Sequence, residues 1–197
     1  FYDGQQLTMF DEEDRYRINV FDWNAAFPEI LKAGGFDAVI GNPPWGQKAI
    51  VEGEAVKSYV WNTYPSSCGI FDLFRPFVEK AVRLLNAHGS FGMVLPDIVL
   101  LKDYPQTRLY LLDHLTLERI DWWGMAFANA VIDAATIAGT KQAATEKHAV
   151  AVAVRDGESS FAQAIPQADF RDNPRHVFNL YLTPEKRAVV ARLRLGP

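Results

Sequence analysis

Short apolar runs alternate with helically spaced apolar positions along most of this chain. Residues 36–40 and 91–95 form nearly continuous apolar runs, which favour strands buried on both faces of a sheet. Between them, apolar residues recur at helical spacing over residues 70–85, with Asp72 as the predicted N-cap and Gly89 as the predicted terminator. A strand, a helix and a further strand in this order indicate an α/β sheet.

Further elements are predicted on both sides of this unit. They are a strand at 18–21, helices at 27–31 and 105–115, strands at 117–122, 130–139 and 148–154, and a helix at 184–195. A polar turn at 141–147 joins the last two strands, and residues 46–69 are predicted to form a mobile loop with a short helical turn. The pattern predicts a mostly parallel sheet that ends in an antiparallel strand pair and is flanked by helices. The sequence becomes polar and irregular after residue 157, where we place a soft boundary.

The composition narrows the class of protein. With 197 residues, 49% of them hydrophobic, and a net charge of −4, the chain is expected to fold as a globular domain. Its single cysteine excludes an internal disulfide and fits a reducing, cytoplasmic compartment, and the four scattered histidines predict no metal site. No apolar run approaches the roughly 18 residues that cross a membrane. The acidic balance is unlike that of most nucleic-acid-binding domains.

The candidate chemistry lies in Asn42-Pro43-Pro44-Trp45, which directly follows the apolar run at 36–40. Ligands of open parallel sheets bind beyond the carboxyl ends of the strands, so the tetrad is expected at such an edge. The Asn42 side-chain oxygen can accept one hydrogen of an amino group, and a carbonyl held by the two prolines can accept the other. These acceptors free the nitrogen lone pair for attack, while the Trp45 ring offers a flat face to a planar base.

Residues 36–45 resemble motif IV of the amino-methyltransferases, whose tetrad is Asp or Asn, two prolines and an aromatic residue. The neighbourhood is similar to that of the large adenine methylases of bacterial restriction-modification systems, including fused nuclease-methylases. The similar downstream segments are Phe71-Asp72-Leu73-Phe74, Gly92-Met93-Val94-Leu95-Pro96 and Phe127-Ala128-Asn129-Ala130-Val131. The resemblance implies a partial Rossmann-like methyltransferase sheet, S-adenosylmethionine as methyl donor, and double-stranded DNA whose flipped adenine is methylated at N6.

The resemblance assigns catalysis to Asn42, Pro43, Pro44 and Trp45 by position, with Trp45 also stacking on the target base.

It further assigns Asp22, Phe71 and Asp72 to the methyl-donor pocket. The alternative for Asp22 is a turn or helix-cap aspartate, and the alternative for Phe71 is a core residue. Phe127 is placed near the flipped base, with core packing as its alternative. The loop lysines Lys48 and Lys57 are predicted to reach DNA phosphates, with solvated surface lysines as the alternative.

The family's glycine-rich donor motif lies upstream of motif IV and is absent from this chain, which begins at Phe1 without a methionine. We therefore expect a piece of a larger protein that is inactive alone. Residues 1–157 would be the C-terminal half of the methyltransferase catalytic domain, and 158–197 the start of a connector or target-recognition region. The resemblance leaves open a nuclease domain in the same parent chain. Two alternatives also stay open: a methyltransferase for RNA guanine or protein glutamine, and a non-catalytic DNA-binding or specificity module.

Overall fold

The fold was analysed in a computed structural model of the chain. The structure describes residues 21–46, 54–124, 133–155, 160–183, 185–186 and 188–189. The chain divides into two compact units, residues 1–34 and 35–197. The strand predicted at 18–21 and the helix predicted at 184–195 fall largely outside the described residues.

The described part of the first unit contains two short helices, α1 (Trp23–Ala26) and α2 (Pro28–Lys32). The Asp22 carboxylate caps α1, because its Oδ1 accepts hydrogen bonds from the amides of Asn24 and Ala25 at 2.9 and 3.1 Å. Pro28 opens α2, where a missing amide costs no hydrogen bond. The helix predicted at 27–31 is thus confirmed.

The second unit is an α/β structure. Its strands are β1 (Phe36–Gly41), β2 (Leu85–Pro96), β3 (Thr116–Gly124), β4 (Ala134–Thr140), β5 (Ala149–Val154) and β6 (Phe161–Pro166). Its helices are α3 (Glu54–Thr63), α4 (Phe74–Leu84), α5 (Ile98–Leu101), α6 (Pro105–His114) and α7 (Gln167–Asp172), with short 3-10 turns at Pro65–Ser67 and Pro174–His176. The predicted α/β class is confirmed.

The six strands form one sheet in the order β1-β2-β4-β3-β5-β6. β1 is parallel to β2 and β3 is parallel to β5, whereas the other neighbours are antiparallel. The sheet is therefore mixed, and our expectation of a mostly parallel one was wrong. β4 and β5 are also not a hairpin, because β3 lies between them. The terminal antiparallel pair is instead β5 with β6.

The core follows the middle of this sheet. Leu95, Ile120 and Ile137 on β2, β3 and β4 are fully buried, and α4 packs Phe74, Val78 and Val82 into the same cluster.

β1 differs from those central strands, because β2 is its one neighbour among the described strands and its Ile40 is 83% exposed. Our prediction that this strand is buried on both faces was wrong. A continuous apolar run reports strand propensity, but burial depends on which neighbours the strand finds.

The connection from β1 to α4 also differs from the prediction. A ten-residue helix, α3, occupies part of the segment predicted to be a mobile loop. Asp72 does not cap α4 with its side chain, because its carboxylate is used elsewhere. Gly89 does not terminate the helix either, since α4 ends at Leu84 and β2 begins at once. A Cβ on Gly89 would lie 2.9 Å from the Phe36 carbonyl oxygen, so this glycine permits close strand approach.

The chain continues the same sheet past the boundary predicted near residue 157, since β6 pairs with β5. Gln167 then ties α7 to the body of the unit: its Oε1 accepts from the Leu117 amide at 2.8 Å and its Nε2 donates to the Leu115 carbonyl at 2.9 Å. A separate role for residues 158–197 stays a prediction. Within the described part of the chain, no helix combines the length and apolar character needed to cross a membrane.

Candidate active site at the carboxyl end of β1

The tetrad directly follows β1 at the edge of the sheet, as predicted. Asn42 is exposed, and among the described residues its side chain has no hydrogen-bond partner. Pro43 is buried and Pro44 is exposed. The Trp45 side chain is half-buried and packs against the core cluster. An exposed amide and a half-buried aromatic ring three residues apart are groups that can bind a planar group carrying an amine.

The backbone just after the tetrad is held on both sides. The Gly46 amide donates to Asp72 Oδ1 at 3.0 Å, and the Gly46 carbonyl accepts from the Leu73 amide at 3.2 Å. Gly46 has a φ of 116°, a conformation that L side chains rarely adopt. A Cβ at this position would meet no atom within 4 Å, so the backbone conformation, not lack of space, requires glycine here.

A second buried network organises the segment between α3 and α4. The Arg75 guanidinium is fully buried and donates to the carbonyls of Ile70, Ser66 and Cys68. Its Nε also donates to the Thr107 hydroxyl at 2.8 Å. Burial lowers the pKa of Arg75 to about 10, with Tyr104 and Asp72 acting in the opposite direction. A buried cation with several acceptors gives this segment one defined path.

The end of β2 contributes a carboxylate to the same edge, because β1 and β2 are parallel. Asp97 follows Pro96 and accepts a hydrogen bond from Trp122 Nε1 at 3.3 Å. Burial raises the pKa of the Asp97 carboxyl; the bond from Trp122 opposes the shift, and the charge of Asp133 adds to it. Sequence reasoning overlooked Asp97, although a polar residue after a buried strand is the same signal that identified Asn42.

The structure brings only some of the predicted site residues together. Phe71 is half-buried and lies next to Asp72, whose contact with Gly46 connects it to the tetrad. Asp22 belongs to the first unit, where it caps α1. Lys57 is half-buried on α3. Lys48 and Phe127 lie outside the described residues, so their roles stay predictions.

Metal ligands do not cluster in the described part of the chain, where no group of three or more His, Cys, Asp or Glu side chains could hold an ion.

The sequence of this chain also matches a known family. A model of the family described as Eco57I restriction-modification methylase matches residues 3–125, which is more than half of the chain. The chain belongs to this family. The matched range includes the tetrad, Asp72, Asp97 and Tyr104, and it confirms the resemblance to restriction-modification methylases.

Curated relatives of this Eco57I-family chain agree with that assignment. The type II methyltransferase M.BstVI of Geobacillus stearothermophilus is 31% identical over 75 residues, which cover 38% of this chain and 13% of the relative. The type II methyltransferase M.TthHB8I of Thermus thermophilus is 33% identical over 87 residues, which cover 39% of this chain and 19% of that relative. The chain thus spans less than a fifth of the length of either relative.

Solved structures confirm the fold. The type IIG restriction endonuclease BpuSI superposes with a TM-score of 0.60 at 13% identity, covering 81% of this chain and 22% of that one. The type IIL restriction-modification enzyme MmeI, solved in complex with DNA, gives a TM-score of 0.53 at 16% identity, covering 74% of this chain and 20% of MmeI. The Eco57I-family chain therefore has the sheet of these enzymes, in agreement with the predicted partial methyltransferase sheet.

Proposed function

We propose that this chain carries the target-amine half of the active site of a DNA adenine-N6 methyltransferase that acts in restriction-modification. The observation that supports this most directly is the exposed Asn42 amide, three residues before the half-buried Trp45 ring, at the carboxyl end of β1. Membership of the Eco57I restriction-modification methylase family supports methyl transfer as the reaction class.

Asn42, Pro43 and Trp45 would handle the target amine. The Asn42 side-chain oxygen accepts one amine hydrogen, the Pro43 carbonyl accepts the other, and the base stacks on Trp45. Both acceptors draw the nitrogen toward tetrahedral geometry, so its lone pair becomes available for attack. The nitrogen held by Asn42 and Pro43 would take the methyl group that S-adenosylmethionine would supply, and one amine proton would leave to solvent. Positioning supplies the rate enhancement, and no strong general base is needed.

We propose that residues near the tetrad form part of a donor pocket. S-adenosylmethionine would supply a methyl group activated by a positively charged sulfur. The half-buried Phe71 ring, on the segment that binds Gly46, fits a flat donor ring by stacking. Asp22 and Asp72 remain predicted to line the donor pocket. The Asp22 carboxylate accepts two amide hydrogen bonds as a helix cap. Contact with the donor would be a second role, in addition to this capping role.

Double-stranded DNA is the proposed partner. A duplex hides the adenine amine, so the target nucleotide has to rotate out of the stack, and the Trp45 face offsets part of the lost stacking. Lys48 and Lys57 are proposed phosphate contacts. This function places the protein with cellular DNA in the cytoplasm, and a nuclease domain in the same whole protein remains a prediction.

The test is methyl transfer by the whole protein, comparing wild type with Asn42→Ala. Radiolabelled S-adenosylmethionine is incubated with DNA from a methylase-deficient host, and the digested nucleosides are separated to identify N6-methyladenine. Asn62→Ala, an exposed asparagine on α3, is the matched control.

We expect Asn42→Ala to lower kcat by roughly 100-fold, as loss of one preorganised group in an active site does. The control should stay within about twofold of wild type, since isolated surface changes have small effects. A near-normal rate in Asn42→Ala would overturn the proposal. Label found in RNA guanine or in protein, instead of adenine, would favour the alternative methyltransferases.

A further inference from the structure

Asp72 is a buried carboxylate with two long-range partners. It is 3% exposed, and its Oδ1 accepts from Gly46, 26 residues away, at 3.0 Å. Its Oδ2 accepts from the hydroxyl of Tyr104, 32 residues away, at 3.2 Å. A buried carboxylate is costly unless hydrogen bonds compensate it, and these contacts provide one bond to each oxygen. Both carboxylate oxygens therefore bind groups of the chain itself.

The Tyr104 side chain is held as firmly as the carboxylate that it binds. It is fully buried. The edge of its ring meets Phe74 at 5.6 Å between centroids, and the Arg75 guanidinium carbon lies 4.9 Å from the ring centroid. The hydroxyl that reaches Asp72 thus projects from a fixed ring. Asp72 is connected through Tyr104 to the core and through Gly46 to the tetrad.

A local role does not account for Asp72. The residue that caps α4 is Leu73, and no side chain supplies a hydrogen bond to the first turn of that helix. The carboxylate instead points to a loop that is distant in sequence. The Leu73 amide reinforces this connection, because it donates to the Gly46 carbonyl. Two adjacent residues, Asp72 and Leu73, therefore bind both polar groups of one glycine.

We propose that Asp72 is a positioning residue for methyl transfer, which acts through Gly46 on Trp45 and does not bind the methyl donor through its charge. This inference rests on the proposed function. Gly46 directly follows Trp45, so fixing both polar groups of Gly46 fixes the backbone from which the indole projects. Stacking geometry controls how the target amine meets its acceptors, and small displacements of reacting groups have large kinetic effects.

The test is a comparison of Asp72→Ala, Asp72→Asn and Tyr104→Phe in the whole protein. It uses radiolabelled S-adenosylmethionine and DNA from a methylase-deficient host as probes, and kcat and the donor KM are measured separately. Asn keeps an oxygen for the Gly46 amide and can donate to Tyr104, so it preserves the positioning contact without the charge. Tyr104→Phe removes only the hydroxyl that binds Asp72. It therefore still tests the inference if Asp72→Ala fails to fold.

Glu79→Ala is the matched control. Glu79 is a buried acid on α4, 1% exposed, that accepts from the Ser66 amide at 2.9 Å. It therefore anchors a different loop, and its other oxygen accepts from Arg83 on the same helix. Circular dichroism and thermal melting would show whether its loss disturbs the fold as much as the loss of Asp72.

We expect Asp72→Ala to lower kcat by about tenfold with the donor KM within about twofold, because alignment is lost while donor binding is kept. Asp72→Asn should recover kcat to within about threefold of wild type, Tyr104→Phe should lose about threefold, and Glu79→Ala should keep kcat within about twofold.

Two results would overturn the positioning role of Asp72 and leave the proposed function intact. One is a donor KM raised by about tenfold or more in both Asp72 variants with kcat unchanged, which would indicate a charged donor contact. The other is normal kinetics in Tyr104→Phe, and in Asp72→Ala where that variant folds, while Asn42→Ala shows its expected loss of kcat. If the wild type transfers no methyl group to adenine, the proposed function fails and the inference fails with it.

Discussion

The two edges of the sheet are built differently. At the β1 edge, the strand has one described neighbour, and Ile40 is 83% exposed. At the β6 edge, the following chain folds back over the sheet and buries Phe170 and Phe178, whose rings lie 5.1 Å apart. Gln163 also donates to the Leu180 carbonyl at 2.7 Å, which holds the returning segment beside β6.

The two edges therefore differ in role: the β6 edge stabilises the fold, and the β1 edge carries the groups proposed for chemistry. The β6 edge contains packed apolar side chains and satisfied buried amides, which is how a fold is stabilised. The β1 edge carries an exposed amide and a half-buried indole, followed by a glycine whose backbone is held by the buried Asp72 carboxylate and the Leu73 amide. We therefore expect substitutions near β6 to change the free energy of unfolding, and substitutions at the tetrad and Asp72 to change turnover.

The largest effect on stability is expected from Phe178→Ala at the β6 edge. The ring is fully buried, so its removal leaves a cavity and should lower the free energy of unfolding by about 3–5 kcal/mol. Urea unfolding of the whole protein, followed for the transition of this domain, measures the change. Phe77→Ala is the control, because that ring is 48% exposed on α4. Equal losses for the two variants would contradict the proposed role of the returning segment.

A smaller loss is expected from Gln167→Met, which keeps the side-chain volume but removes its polar end. The Leu117 amide and the Leu115 carbonyl would lose their partner, and leaving such groups unsatisfied should cost about 1–3 kcal/mol. The same urea experiment applies. Gln142→Met, an exposed glutamine bonded to His88, should change stability by less than about 0.5 kcal/mol. If Gln167→Met is equally harmless, the connection between α7 and β3 is not stabilising.

The smallest effect is expected from Ile40→Thr at the β1 edge. The side chain is exposed, so the free energy of unfolding should change by less than about 0.5 kcal/mol. The matched control is Ile137→Thr on the central strand β4; Ile137 is fully buried, so this variant should lose about 1–3 kcal/mol because it buries a hydroxyl. A comparable loss at Ile40 would show that this face of β1 is covered in the whole protein, and the contrast between the edges would not hold.

The elements with a clear local pattern could be predicted from the sequence. The strands at 36–40 and 117–122 and the helix at 105–115 appear with shifts of one or two residues at their ends, and the strand at 91–95 is part of the longer β2. The helix at 54–63 was not predicted, because its apolar residues do not follow a strong helical stripe. Neighbour relations in the sheet were also missed: β3 inserts between β4 and β5, and no local pattern encodes that order.

The site divides in the same way. Asn42 and Trp45 were identifiable because they directly follow a strand and form one contiguous motif. Tyr104 was not singled out, because its partner Asp72 lies 32 residues earlier and the contact depends on how α4 and α6 pack. Arg75 was overlooked as well, since a charged residue among helically spaced apolar ones is usually read as exposed, whereas here carbonyl acceptors allow complete burial.

The sequence by itself determined that this chain has an α/β core and that a tetrad suited to binding an amine follows one of its strands. Residues adjacent along the chain carry both signals, so no tertiary contact is needed to read them. The tertiary structure alone decided that the tetrad strand lies at one end of the described sheet with Ile40 exposed, and that Asp72 holds Gly46 instead of capping a helix. Those facts depend on partners more than 20 residues apart, which only the folded chain brings together.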